Sequence, residues 1–600
     1  MPALISPQRR PIPIVASLLL VAIATLPAAA DTTEDQVTGE DVMWVRHDGG
    51  TDDAIDLCND DSDMGGSRRQ ANEPYAVIDP TDPDTIVTGW NDYCLADLNA
   101  GWQGFGYSRD GGQTWFNSFV PGYPFDTSEE GQESPLFGTR RFAGDPIAAF
   151  DRYGNLFVGG IAFNRVDDIS GSVYVATYGA EDQAISGADD YPADYLRTRI
   201  VGEGTPSRNF FGIFQDKPML EVDRTGGSHD GNVYVCWARF TGAGQNKIFF
   251  SRSTDTGETF SRPIALTNVG KVGSVQGCDI AVENDGDVYV TFQTFDDPSA
   301  VTSAGLGFVR STDGGRTFSQ ATSIRDVRPY FPFDGTRDCG DGPFTCPSDF
   351  VFHRVPMGPR VTADQNGELG GLYLIYNEIR PGSTEPSETS YQSAGGGEVG
   401  QSLAYVIRSI DDGATWSEPE AINPADTGHQ FFADIDALDG SLLAVWQDNR
   451  NDPAYDVQFP LGNTLVEVEG ELRGVSTGAL VVDSFMATSN DGGTTWSTTQ
   501  ASSRAHQSQY EMFGNRDIPF HGDYNWASLA PDGEGGLVGY VAWTDNRDVV
   551  EGVDPREDFN DGFDVLQCRE EQEDGSFGPD TCPNAGGLDQ NIYGASTTLQ

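Results

Sequence analysis

The chain has 600 residues, with 92 acidic against 36 basic side chains and a net charge of −56 at pH 7. A surface this acidic repels nucleic acid and anionic membranes, which excludes both as partners. The length exceeds what one compact core supports unless the fold is built from repeats.

Taken in order, the chain opens on Arg9 and Arg10, an apolar run from about Ile14 to Leu26, and Ala28–Ala30 before Asp31. This pattern predicts a secretory signal peptide over residues 1–30, cleaved near Ala30, and an exported, extracellular protein. No other stretch is long and apolar enough to span a bilayer. Residues 31–70 read as an N-terminal lead, disordered over 31–40. Val42–Arg46 has strand character.

From residue 71 to 600 a single repeat architecture is predicted. Each unit pairs an alternating apolar strand with a β-branched and aromatic return strand. The first strands are Glu73–Asp79, Asp145–Asp151, Asp216–Asp223, Asp279–Val282, Arg360–Asp364, Asp434–Leu438 and Asp523–Leu529. Their returns run through Ile86–Trp90, Leu156–Val158, Val233–Trp237, Val288–Phe292, Leu372–Tyr376, Leu442–Trp446 and Val538–Trp543. A third and a fourth strand follow. The last unit lacks a fourth, and Val42–Arg46 is predicted to complete it, because an open sheet edge is a liability.

A second pattern, Ser-x-Asp-x-Gly-x-Thr-Trp/Phe, occurs five times, at Ser108–Trp115, Ser253–Phe260, Ser311–Phe318, Ser409–Trp416 and Ser489–Trp496. Gly permits a positive φ, Ser and Asp can bond backbone amides, and the aromatic can lock the turn. Asp110, Asp255, Asp313, Asp411 and Asp491 are therefore structural. These turns resemble the Asp-box, the bacterial neuraminidase repeat of the sialidase-like β-propellers. The resemblance implies an all-β propeller of four-stranded antiparallel blades with the boxes on the rim. Seven units favour seven blades, with six as the alternative usual among sialidases.

The eight cysteines favour disulfides in sequential pairs, with Cys339–Cys346 and Cys568–Cys582 stapling loops. Only three lysines occur, Lys217, Lys247 and Lys271. Adaptation to a saline habitat accounts for the acidity better than a cationic partner does.

Chemistry is expected where first strands line the channel. Six open on an acid (Glu73, Asp145, Asp216, Asp279, Asp434 and Asp523) and the fifth on Arg360. These acids either cap their own loops, form paired carboxylates for acid/base work, or hold a cation; Ca2+ is the candidate ion, and no motif requires a cofactor. Arg141, Arg354, Arg360, Arg450 and Arg547 are candidate substrate-binding residues, with a structural corner salt bridge as the other reading of Asp448–Arg450 and Asp545–Arg547. By resemblance to sialidases, which use three arginines, an Asp acid/base and a Tyr–Glu pair, Arg360, Arg450 and Arg547 form the triad, Asp145 the acid and Tyr524 the nucleophile. Asp523 is a further candidate acid. Three functions follow: an exo-sialidase-type glycoside hydrolase, another glycanase using two channel carboxylates, or a non-catalytic propeller binding glycan or protein. A glycan or glycoconjugate partner and a monomer are expected.

Overall fold

Alternating apolar and polar positions make each segment a strand with one face to bury, and four such strands in a meander give a blade that stacks on its neighbours. A computed structural model describes residues 32–599 except 39–41, 48, 60–69, 96–99, 165–169, 181–194, 206–211, 242–244, 296–303, 333–336, 339–344, 347–357, 368–369, 469, 513–517, 556–559 and 579–588. It contains seven antiparallel sheets that are the blades of a propeller. Their first strands are Ala71–Asp79, Phe142–Phe150, Ile213–Val222, Ser274–Val282, Arg360–Ala363, Gln430–Leu438 and Trp526–Pro531. Each touches the first strand of the next blade, and the seventh touches the first, so the ring is closed.

The seventh blade closes differently from expectation. Thr33–Gln36 pairs antiparallel with Asn591–Leu599 and supplies the fourth strand. Met43–Trp44 lies parallel to Phe116–Phe119 on the outside of the first blade, with Trp44 buried 4.8 Å from the Phe119 ring. The outermost strand needs backbone pairing more than apolar side chains, so the polar Thr33–Gln36 serves there while the apolar Trp44 goes to a core. Residues 33–36, expected to be disordered, are thus ordered by their partner strand.

The five Ser-x-Asp-x-Gly turns share one bonding pattern. In the first, the Gly112 amide donates to Ser108 Oγ at 2.9 Å, and Asp110 accepts from the Thr114 amide at 2.8 Å and its hydroxyl at 2.7 Å. The closing aromatic reaches the preceding blade: Trp115 lies 6.0 Å from Tyr540, Phe318 4.7 Å from Phe250 and Trp416 6.2 Å from Phe308. The turn therefore rivets two blades as well as its own hairpin. It lies between third and fourth strands, on the face opposite the start of each first strand.

Two disulfides follow the sequential order, Cys58–Cys94 and Cys236–Cys278. Cys339 and Cys582 lie outside the described residues, as do the leader and Arg354. Among the described residues no helix is long and apolar enough to cross a membrane.

Candidate functional site at the channel mouth

The first strands carry a bulge near their start, where the pairing register skips from Asn72 to Tyr75, Gly144 to Ile147, Asp216 to Met219, Gln276 to Asp279 and Phe431 to Asp434. A residue inside each bulge has positive φ: Glu73 59°, Asp145 51°, Lys217 46°, Gly277 60° and Phe432 54°. A left-handed conformation costs a non-glycine residue about 1 kcal/mol, and four such residues at one level mark a built feature of the mouth. The bulges set the acids that open the first strands at different positions along the channel. Asp216 precedes its bulge, Glu73 and Asp145 sit within theirs, and Asp279 and Asp434 follow theirs.

Three of the acids reach round the ring, although Asp279 also accepts from its own neighbour, the Ile280 amide, at 2.9 Å. Asp145 Oδ2 accepts from the Lys217 amide at 2.9 Å, Asp279 Oδ2 from the Val361 amide at 2.8 Å and Asp434 Oδ2 from the Ala527 amide at 2.8 Å. Deeper in the same channel, Asp436 Oδ2 accepts from the Leu529 amide at 2.8 Å. Each carboxylate therefore fastens its blade to the next.

Other contacts cross the channel. Lys217 Nζ of the third blade pairs with Asp523 Oδ2 of the seventh. The Tyr524 hydroxyl of the seventh donates to the Pro146 carbonyl of the second at 3.0 Å. Arg360 of the fifth donates from Nε to Asp434 Oδ1 at 2.9 Å and from Nη1 to Met219 Sδ at 2.8 Å, with its guanidinium 4.6 Å from the Trp526 ring centre and 5.4 Å from that of Tyr524. Its Nη2 has no hydrogen-bond partner among the described residues. Arg360, Met219, Tyr524 and Trp526 thus floor the mouth.

Electrostatics separates the floor from the rim. Burial pushes Asp279 up to about 7, against the pull of Arg360 and the Val361 amide, and burial likewise raises Asp434. Burial lowers the charged form of Arg360, but Asp434 and Asp279 outweigh it and hold the guanidinium charged. Burial, then the charges of Glu73 and Asp145, hold the Tyr524 phenol protonated well above its ordinary value. Elsewhere in the mouth, the buried Glu73 accepts at Oε2 from Asn91 Nδ2 at 2.6 Å, and Asp216 Oδ2 accepts from Gln276 Nε2 at 3.2 Å.

The structure therefore brings together Asp145, Asp523, Tyr524 and Arg360. It does not bring Arg450 or Arg547 to them. Arg450 bonds Asp448 at 2.5 Å and lies 4.5 Å over Phe485; Arg547 bonds Asp545 at 2.6 Å and Glu34 at 2.7 Å and lies 3.9 Å over Tyr593. Both are corner salt bridges, the structural reading of the repeated Asp-Asn-Arg. Arg141 is exposed at the head of the second blade. Sequence reading passed over Lys217, although the Lys217-Pro218 dipeptide aligns it with Glu73-Pro74 and Asp145-Pro146. Asn91 carried no such signal.

Among the described residues one group of three His, Cys, Asp or Glu donors lies within joint ligand reach, Cys58, Asp92 and Cys94, and its two cysteines share a disulfide.

No family model matches the chain, and no curated protein matches it. Solved structures are similar in part. An α-L-arabinanase of Penicillium chrysogenum, complexed with arabinobiose, is 14% identical with a TM-score of 0.39 over 64% of this chain and 93% of that one. A leech intramolecular trans-sialidase is 12% identical with a TM-score of 0.37 over 69% of this chain and 68% of that one. An ulvan lyase, a polysaccharide lyase, is 11% identical with a TM-score of 0.41 over 80% of this chain and 93% of that one.

Proposed function

We propose that this is an exported, glycan-directed propeller whose ligand enters the channel mouth, and that Asp145 and Asp523 act there as paired carboxylates on a glycosidic bond. The observation that carries this reading is the meeting of both carboxylates on one residue: Asp145 on the Lys217 amide and Asp523 on the Lys217 ammonium. Two carboxylates held on one residue are placed to divide acid and base work between them, as acid/base glycoside cleavage requires. Tyr524, held protonated and donating its hydroxyl proton to the Pro146 carbonyl, accepts from a ligand hydroxyl rather than attacking as a nucleophile. The two disulfides suit an oxidising, extracellular compartment.

The exo-sialidase form is less well supported. It needs several guanidinium groups converging on one carboxylate, and Arg450 and Arg547 are engaged at blade corners. The charges of Glu73, Asp145 and Asp216 act on Tyr524 while Lys217 pairs with Asp523, and this excess of carboxylates opposes an anionic sugar in the mouth itself.

The test is turnover of a panel of neutral aryl glycosides and an aryl sialoside by the mature protein. We expect neutral glycosides to be cleaved, with kcat reduced about 100-fold or more in Asp145→Asn and Asp523→Asn. Sialoside cleavage abolished by Arg360→Ala would replace this reading with the sialidase one. A folded protein without turnover, retaining glycan on an array, would make it a binding propeller.

A further inference from the structure

The three lysines of this chain fall on one blade. Lys217 sits in the bulge of the first strand of the third blade, Lys247 near the start of its third strand Gln245–Ser253, and Lys271 in the short helix Val269–Val272 that leads to the fourth blade. The meander puts all three positions on the mouth face. In a chain of net charge −56, this concentrates the lysine positions on a single blade.

A row of side chains runs outward from the mouth along that edge. Gln215 precedes Asp216 and Lys217 on the first strand and is in register with Arg239 on the second; Arg239 is in register with Lys247 on the third. Residues directly opposite share a face, with strands about 4.8 Å apart, so Arg239 and Lys247 are like charges set side by side, a pairing that is destabilising by itself. Neither forms an ion pair among the described residues. Arg239 Nε donates to Gln215 Oε1 at 3.2 Å, a neutral acceptor, and the guanidinium lies flat on Phe249 at 3.6 Å from the ring centre. Burial pulls Arg239 below its ordinary pKa, and no carboxylate offsets it. Lys247 is half-buried. Elsewhere the arginines Arg310, Arg325, Arg328, Arg360, Arg450 and Arg547 each hold a carboxylate. With acids in such excess, two adjacent cations left without one form a site that a ligand oxyanion completes.

We infer that the edge of the third blade is an anion subsite beside the mouth, at which Arg239 and Lys247 take a carboxylate or sulfate oxyanion on a sugar unit of a glycan chain extending outward from Lys217. This rests on the glycan reading of the mouth and names its substrate class: a polysaccharide with a neutral unit at the acidic mouth and a charged unit over the third blade. Phe249, under the guanidinium, holds it in place to present its outer edge.

The experiment is calorimetric titration, at one fixed ionic strength, of a neutral galactan oligosaccharide, a galacturonate oligosaccharide and a sulfated galactan oligosaccharide. Wild type is compared with Arg239→Gln/Lys247→Gln. We expect a charged oligosaccharide to bind wild type about tenfold or more tightly than the neutral one, and the double variant to lose that preference while keeping its affinity for the neutral chain. Whether galacturonate or sulfate is preferred decides between carboxylate and sulfate. The variant is expected to melt no lower than wild type, because it removes a like-charge contact. Equal binding of charged and neutral chains to wild type, or a preference that survives in the variant, would overturn the subsite and leave the mouth reading standing. No binding of any of the three would overturn both.

Discussion

Aspartate does opposite work on the two faces of this propeller. In the repeated turns, Asp255 is bonded by the Ser253 hydroxyl and the Thr259 amide and hydroxyl, partners no more than four residues away, and these bonds lower its pKa despite some burial. In the channel, Asp279 and Asp434 bond amides of the next blade, 82 and 93 residues along the chain, and burial raises both. The turn aspartates stabilise as anions. The channel aspartates are tolerated as anions only because Arg360 stands among them. One residue type thus builds a local staple where water is near, and a long-range rivet dependent on a counter-charge where water is excluded.

That contrast can be broken most strongly at Arg360. Arg360→Ala should lower the unfolding free energy by about 3–5 kcal/mol, because it strands two buried carboxylates. The loss should be greater near pH 8 than near pH 5.5, since below about 7 Asp279 takes up a proton and needs the guanidinium less. Denaturant unfolding at both pH values measures this, and a loss below about 1 kcal/mol at either would show that the channel acids are not held as described.

Asp255→Ala should cost less, about 1–2 kcal/mol, and its pH dependence should lie in a lower pH window than that of Arg360→Ala. The folded pKa is depressed, so the contribution is present above the ordinary Asp value and fades as pH falls through the lowered one. An Asp255→Ala deficit that shrank between pH 8 and pH 5.5, as that of Arg360→Ala should, would erase the distinction between the two faces.

The smallest effect is expected at Asp35 on the closing strand, an exception among the aspartates near the turns. Burial, then the charges of Asp110 and Glu34, push it up to about 6. A raised pKa means that its contribution is fully present below the unfolded value and is lost as pH rises through about 6. Asp35→Asn should therefore stabilise the protein near pH 8, by at most about 1 kcal/mol for a half-exposed group, and leave it unchanged near pH 4. Melting curves at the two pH values decide it.

Much of the fold was legible because each blade announces itself locally. The alternation in Val233–Trp237 or Leu442–Trp446, and five copies of one turn, need no knowledge of neighbours. The closing strand was not legible, because Thr33–Gln36 carries no apolar signal and is held by backbone pairing to a segment more than 500 residues away. The mouth was half legible. The acids at the heads of first strands were visible, but bulges redistribute them over three levels, and the Lys217–Asp523 bond joins blades that are not neighbours. The corner arginines misled for a related reason: a guanidinium recurring beside an acid looks the same in sequence whether it awaits a ligand or already holds its partner.

Ring closure by the N-terminal strand also fixes an order of events. Thr33–Gln36 is among the earliest segments of the folded part to be made, and its partner Asn591–Leu599 is the last. The first blade can form while synthesis continues, but the circle can shut only once Asn591–Leu599 has been made. Pairing across so long a loop is slow relative to the hairpins within each blade. Until then the molecule is an arc with an unpaired strand edge at its growing end. Closure thus depends on the seventh blade, since a chain that stops short of Asn591 leaves Thr33–Gln36 with nothing to join.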